Sequence, residues 1–238
     1  MNTRTHRGRI VQPKRSPLRM FYTLLALVAV LGVAVLALVF AQRPATPVVP
    51  PTNAVSPSDV PTGTTADGFA FKGSPDAPVQ VVAYADFQCP ACAAASEQIE
   101  PTIEYTYIRT GKVQLIFHDF PLQQHQNAVP AALAARCALR QNAFWPMHDR
   151  LFSTQDQWAL SSDPRSVFSG YATDLGLNTQ SFNACVAAPA TTTAIQAAFA
   201  AGVERGINAT PTYLVDGTPV DAQNLQGAIE AALQAKGS

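Results

Sequence analysis

The pattern best suited to chemistry in this chain is Cys89-Pro90-Ala91-Cys92, two cysteines three residues apart. It follows Val79–Tyr84, a short apolar, β-branched run of the kind that forms a buried strand. From Ala93 the chain reads as helix, with alanines, Glu97, Gln98 and Ile99. A strand therefore hands over to a helix at the cysteines. The free N–H groups of a first helical turn, and the positive end of the helix dipole, favour a thiolate over a thiol. Such placement lowers a cysteine pKa below its free value of about 8.5. Pro90 suits the first turn, where its missing N–H costs nothing. The i, i+3 spacing brings both sulfurs to one helix face, close enough to bridge. The chemistry this allows is nucleophilic exchange at sulfur. Cys89, expected to be the more exposed, is the attacking or attacked sulfur, and Cys92 resolves. The plainer readings are an inert disulfide or half of a zinc site. Zinc wants four ligands, and the other candidates, Cys137, Cys185 and four histidines, show no paired spacing. No metal is expected.

The elements that must position this pair occupy the second part of a segregated chain. Net charge is zero over 238 residues, yet no Asp or Glu precedes Asp59. Six of the sixteen Lys and Arg fall before residue 20 (Arg4, Arg7, Arg9, Lys14, Arg15, Arg19), so the part after Gln42 carries ten basic and sixteen acidic residues, a net of −6. No basic patch there suggests nucleic acid. Residues 1–20 read as a basic cytoplasmic tail. Phe21–Phe40 is twenty residues without a charge, about one hydrocarbon core as a helix. Residues 21–41 are therefore expected to form a transmembrane signal-anchor helix. The positive flank keeps the N-terminus cytoplasmic and sends the rest across. Cleavage after Val39-Phe40-Ala41, giving a secreted chain, is the alternative, but the apolar run exceeds the usual 7–15 residues of a signal peptide. Residues 43–66 hold six prolines and read as an extended, semi-rigid linker. An extracytoplasmic setting suits cysteines that form disulfides.

The remaining residues, 68–238, suffice for one domain with a real core. Phe69–Lys72 is expected as a short edge strand, and Val79–Tyr84 as the first central strand. A helix is expected from Cys89 to about Arg109, kinked at Pro101 and stopped at Gly111. Lys112–His118 is the next strand, parallel to the first through a right-handed crossover. A helical insert at about 126–205 holds helices near 130–141, 143–153, 164–175, 179–187 and 191–204. Thr212–Val215 and Pro219–Val220 make a hairpin about Asp216-Gly217, and Leu225–Ala235 is the closing helix.

This order, with Cys-x-x-Cys opening the first helix, resembles the thioredoxin-like α/β fold. The helical insert makes it similar to the DsbA family of exported thiol–disulfide oxidoreductases, and to its membrane-anchored DsbA/BdbD-like bacterial branch. The stretches that carry the resemblance are GSPDAPVQVVAYADFQCPAC, FHDFPL, HQNAVPAALAARCALRQNAFWPMHDRLF and GINATPTYLVDG. The resemblance implies a nucleophilic Cys89, a buried partner Cys92 and an active-site dipeptide Pro90-Ala91. It implies a cis-proline loop at Pro211, with the backbone of Thr210 pairing with substrate peptide. It implies no cofactor beyond the redox-active disulfide. Two departures stand out. Thioredoxin-like proteins often place a buried Asp or Glu six residues before the first cysteine, and here that residue is Ala83. Asp86 is nearer, as a proton acceptor, a cap or a solvated group. The dipeptide is also Pro-Ala rather than Pro-His, which removes one possible cation beside the thiolate.

If Cys89 pairs with Cys92, Cys137 must pair with Cys185 or stay free. A structural disulfide within the insert is expected, against two free buried thiols. His118, His125 and His148 are expected to pack rather than react. Trp145, Phe144, Phe152, Tyr171 and Phe168 read as insert core, and Glu97, Glu100 and Glu104 as a solvated helix face. The expected activity is exchange of a Cys89–Cys92 disulfide with thiols of unfolded or reduced exported proteins, in the oxidase direction. By resemblance, a DsbB-like or vitamin-K-epoxide-reductase-like membrane protein re-oxidises the pair. The alternatives are a reductase or isomerase of the same fold, or an exported binding or scaffold protein whose disulfide is structural.

Overall fold

The computed structural model describes residues 60–237 and, before them, position 27 alone. The chain divides into two units, 1–53 and 54–238, and every element below belongs to the second. The expected basic tail, the membrane helix at 21–41 apart from Leu27, and the linker as far as residue 59 lie outside the described residues. Among the described residues no single helix is long and apolar enough to cross a membrane.

Six strands, β1 (Thr62–Thr64), β2 (Ala70–Lys72), β3 (Val79–Ala85), β4 (Val113–Asp119), β5 (Thr212–Val215) and β6 (Thr218–Val220), form one sheet. Their order across it is β1-β2-β4-β3-β5-β6. β3 and β4 run parallel, with Ala83 opposite Phe117. Both are almost wholly buried, which is why they read as near-continuous apolar runs. β5 lies antiparallel on the other side of β3, with Tyr213 opposite Ala83. The β5–β6 turn has both Asp216 and Gly217 at positive φ, 46° and 85°, as a two-residue hairpin requires.

The sheet has one more strand than the sequence suggests. Thr62–Thr64 falls in the stretch whose prolines mark it as linker, so the linker ends short of residue 66. The segment pairs with β2, Gly63 opposite Phe71, and Gly73 N–H donates to the Pro61 carbonyl at 2.8 Å. Pro61 precedes the strand, where its missing N–H costs no ladder bond. β2 is thereby an inner strand, and β1 takes the edge.

The crossover from β3 to β4 is not one kinked helix. It consists of α1 (Pro90–Gln98), α2 (Glu100–Ile103) and a π-helical turn at Glu104–Ile108. The break falls at Ile99, with φ −110°. Pro101 offers no N–H to the carbonyl of Glu97 and crowds it, so the helix gives way just ahead of the proline. The wider π turn then rotates the following residues to a new face.

The insert holds α3 (Ala128–Leu139), α4 (Phe144–Ser153), α5 (Gln155–Trp158), α6 (Pro164–Asp174), α7 (Thr179–Ala187) and α8 (Pro189–Glu204), and α9 (Leu225–Ala235) closes the chain. α5 was not expected; its single turn is too short to show a periodicity. Asp163 caps α6 through Ser166 N–H at 3.3 Å, and Asn178 caps α7 through Ser181 N–H at 2.8 Å. Pro90, Pro164 and Pro189 each open a helix, where proline's fixed φ fits. Cys137 and Cys185 are joined by a disulfide that ties α3 to α7. On one face of the sheet Ala83, Phe87, Cys92, Phe117 and Tyr213 belong to the main core. On the other Tyr84, Phe120, Ile207 and Leu214 form a smaller cluster. α8 approaches that second cluster closely at Gly202, where an added Cβ would lie 2.8 Å from the Phe120 ring.

Candidate active site

Cys89 is the N-cap of α1, with extended backbone at φ −76° and ψ 122°. Its carbonyl accepts the N–H groups of Cys92 and Ala93, both at 3.1 Å, which starts the helix. Cys89 and Cys92 are free thiols, 7% and 2% exposed, so Cys89 is the more open of two buried sulfurs. Pro90 and Ala91, between them, are exposed. The Thr210–Pro211 loop, which leads into β5 beside the end of β3, reaches the pair. That peptide bond is cis, and the Cys89 thiol lies 3.5 Å from the Thr210 carbonyl.

The two sulfurs differ sharply in acidity. Cys89 is lowered to about 5, first because the Cys92 thiol hydrogen-bonds to its sulfur. Burial opposes the shift; the N–H groups of Cys92 and Ala91 add to it. Cys92 is pushed well above the thiol range, by burial first and then by donating to, and lying beside, the charged Cys89. The helix N-terminus thus acts as the sequence implies, but the neighbouring thiol is the larger cause. One sulfur is anionic at neutral pH and the other keeps its proton.

The segment before the cysteines is braced by Asp86 and by three amide side chains, Gln88, Asn127 and Gln155. Asp86 is buried rather than solvated. Its carboxylate accepts from Gln88 N–H at 2.7 Å and Leu122 N–H at 2.8 Å, and lies 2.7 Å from His125 Nδ1. The Gln88 side chain accepts from Asn127 N–H at 2.6 Å and donates to the Ala159 carbonyl at 2.7 Å. Asn127 in turn donates to the carbonyls of Trp158, Ala159 and Ser161. Gln155, on α5, donates to the carbonyls of Phe87 and Cys89. The only trace of this network in the sequence is a few amides in an alanine-rich stretch.

The three glutamates expected on a solvated face line one open cavity together, but they differ in exposure and one of them is buried. Glu97 is exposed. Glu100 is buried, and accepts from the Tyr213 hydroxyl at 2.9 Å. Glu104 pairs with Lys72 at 2.7 Å. Of the described histidines, His118 and His148 pack against aromatic rings and His125 is tied to Asp86. His118 stacks on Phe69 at 3.5 Å, and burial, with Arg205 and Arg136 nearby, lowers its pKa to about 4. His148 sits among Phe87, Phe117 and Phe152. Among the described residues no three His, Cys, Asp or Glu side chains gather as metal ligands.

A dithiol whose sulfurs differ this much, at the end of a central strand and facing a cis-proline loop, places the molecule in the class of thioredoxin-fold dithiol proteins. Comparison with known proteins narrows the class. A family model described as thioredoxin matches residues 65–235, and the chain belongs to that family. Its fold is DsbA-like. The crystal structure of oxidised BdbD from Bacillus subtilis superposes with a TM-score of 0.65 at 23% identity, covering 74% of this chain and 98% of that one. Wolbachia pipientis α-DsbA1 gives 0.64 at 21%, covering 72% and 94%. In sequence, the probable disulfide bond formation protein D of Bacillus anthracis is 37% identical over 84 residues, 35% of this chain and 39% of that protein. The Na(+)/H(+) antiporter NhaA 3 of Salinispora tropica is 32% identical over 166 residues, 68% of this chain and 24% of that protein. The chain thus spans about a quarter of that antiporter's length and about two fifths of the Bacillus protein's.

Proposed function

We propose that this protein is an extracytoplasmic thiol–disulfide oxidoreductase that oxidises the thiols of exported proteins. The observation that carries the reading is the asymmetry of the pair: Cys89 held near pKa 5 and Cys92 held protonated. A thiolate stabilised in the reduced form favours that form, and so makes the Cys89–Cys92 disulfide a ready oxidant. A substrate thiolate attacks Cys89 Sγ, the Cys89–Cys92 bond breaks, and Cys92 leaves and takes a proton. A second substrate thiolate then attacks the substrate sulfur of the mixed disulfide and expels Cys89 as a thiolate. The substrate loses two electrons and the enzyme pair gains them. The Thr210 backbone, beside Cys89, is where an extended substrate segment would pair.

The reduced pair must pass its two electrons on, and by family likeness a DsbB-like or vitamin-K-epoxide-reductase-like membrane protein takes them. Single-pass anchoring through residues 21–41, with a cytoplasmic N-terminus, would hold the domain beside such a partner; release after Ala41 would not. The match to proteins named as Na(+)/H(+) antiporters is in keeping with a place at a membrane.

The test is a pair of assays on the full chain. The oxidised protein is expected to regain activity from reduced, denatured ribonuclease, with Cys89→Ala inactive. Weak or no insulin reduction is expected. Insulin reduction without ribonuclease oxidation would turn the direction round, and inactivity in both would reduce the disulfide to a structural one.

A further inference from the structure

Thiol exchange needs Cys89 held in one place, and a side chain from another loop takes part in holding it. Asp86 stands three residues before Cys89, and its carbonyl accepts the Cys89 N–H at 3.0 Å. The Asp86 side chain is 0% exposed. A carboxylate that deep needs donors on both oxygens, because burial strips it of water. Oδ1 takes the N–H of Gln88, the residue just before the nucleophile, at 2.7 Å. Oδ2 takes two groups of the loop that joins β4 to α3: the N–H of Leu122 at 2.8 Å and the His125 ring at 2.7 Å through Nδ1. The loop is closed on itself at the same point, since His125 N–H donates to the Leu122 carbonyl at 3.1 Å. Two of the three donors to Asp86 are main chain and survive any substitution. His125 is the one side chain, among the described residues, that donates to it. Its ring is 20% exposed, so removing it would open the carboxylate to water.

We infer that His125 is a positioning residue for thiol exchange: by donating Nδ1–H to Asp86 it locks the turn that carries Cys89 to the β4–α3 loop, and so fixes where the Cys89 sulfur sits. The inference rests on the oxidoreductase reading above. An ionised carboxylate accepts and does not donate, so Nδ1 carries the proton in this contact whether the ring is neutral or charged. His125 touches neither sulfur and acts through Asp86 alone. Without the ring, Oδ2 keeps a single donor. The carboxylate then turns toward water, and the Gln88 N–H that it held is released beside Cys89. The N-cap geometry that sets Cys89 against the Thr210 carbonyl loosens with it. A less closely held thiolate is a less stable one, and the reduced pair loses part of its advantage over the disulfide.

The experiment compares two variants of the full chain with the wild type. His125→Phe keeps a planar ring and loses the donor; His125→Asn returns an amide N–H to the place of Nδ1. Two quantities are read: the Cys89 midpoint by thiolate absorbance, and the equilibrium of the Cys89–Cys92 pair with glutathione by mass after an acid quench. In His125→Phe the midpoint is expected to rise and the equilibrium to move about threefold to tenfold toward the disulfide, part of what a hydrogen bond to a charged group contributes. His125→Asn should bring both back to within about twofold of wild type. Packing alone would not do so, because the amide fills the ring's place less well than phenylalanine. If His125→Phe fails to fold, the wild-type ring carries the test through its nitrogen-15 resonances, which should show a proton on Nδ1 in both the reduced and the disulfide forms. An unchanged midpoint and equilibrium in His125→Phe overturn the inference. So does a His125→Asn that behaves like His125→Phe, or an Nδ1 without a proton. None of these results touches the oxidoreductase reading. A wild-type disulfide that glutathione cannot open overturns that reading, while the Cys89 midpoints still decide the role of His125.

Discussion

The side-chain amide of Gln155 donates to the backbone carbonyl of Cys89 at 3.1 Å and to that of Phe87 at 2.7 Å. A residue of the helical insert thus holds the turn from which α1 begins. The insert braces the reactive cysteine's backbone as well as covering it, and Gln88, through Asn127 and the Ala159 carbonyl, ties the same segment to the insert again.

Gln155→Ala should therefore destabilise the reduced protein by about 1–2 kcal/mol, because two carbonyls of a largely buried segment lose their donor. Urea denaturation measures it. An unchanged midpoint would mean that water replaces the amide and that the brace is incidental.

Gln155 also marks the limit of what the sequence makes legible. The strand, the Cys-x-x-Cys and the Thr-Pro loop are local patterns, and β3, α1 and β5 were readable from them. Thr62–Thr64 was not, because its strand character comes from pairing with β2 and its own composition is that of a linker. The burial of Glu100 was not readable because its partner, the Tyr213 hydroxyl, comes from a strand 113 residues away. Gln88, Asn127 and Gln155 act on carbonyls up to 71 residues away, and nothing in a single chain's spacing announces such partners. The acidity of Cys89 was right in direction, but its main cause, the Cys92 thiol, is itself part of the motif.

That cause gives a sharper prediction than the motif does. Cys92→Ala removes the strongest hydrogen bond to the Cys89 sulfur, so the Cys89 midpoint should climb from about 5 toward the ordinary thiol value. Cys92→Ser keeps a donor and should move it less. Thiolate absorbance at 240 nm reads both. Equal midpoints in wild type and Cys92→Ala would return the credit to the helix N-terminus alone.

The Cys137–Cys185 disulfide closes a sequence separation of 48 residues and ties α3 to α7. On the chain-entropy model a loop of that length contributes about 4 kcal/mol by restricting the unfolded state. Replacing both cysteines by serine should lower unfolding stability by a few kcal/mol while leaving the Cys89 titration in place, since neither residue acts on that sulfur. Movement of the Cys89 midpoint in the double variant would show that the bridge shapes the active site and does more than staple the insert.

The pair also sets how stability depends on pH, and the signs differ for its two members. Cys89 has a folded pKa of about 5 against 9.0 unperturbed, so the stability it contributes is complete above about pH 9 and is lost as pH falls toward 5. Cys92 is raised, so its contribution is present below the unperturbed value of 9.0 and is lost as pH rises above it. His118, lowered to about 4 from 6.5, takes stability away as pH falls below 6.5. It does so in both redox forms and cancels between them. The stability of the reduced form minus that of the disulfide form should then rise from pH 5, peak near pH 9 and decline beyond. Urea denaturation of the two forms side by side across that range measures the difference. A flat difference would mean that neither thiol's acidity changes on folding, and the asymmetry on which the oxidant reading depends would be gone.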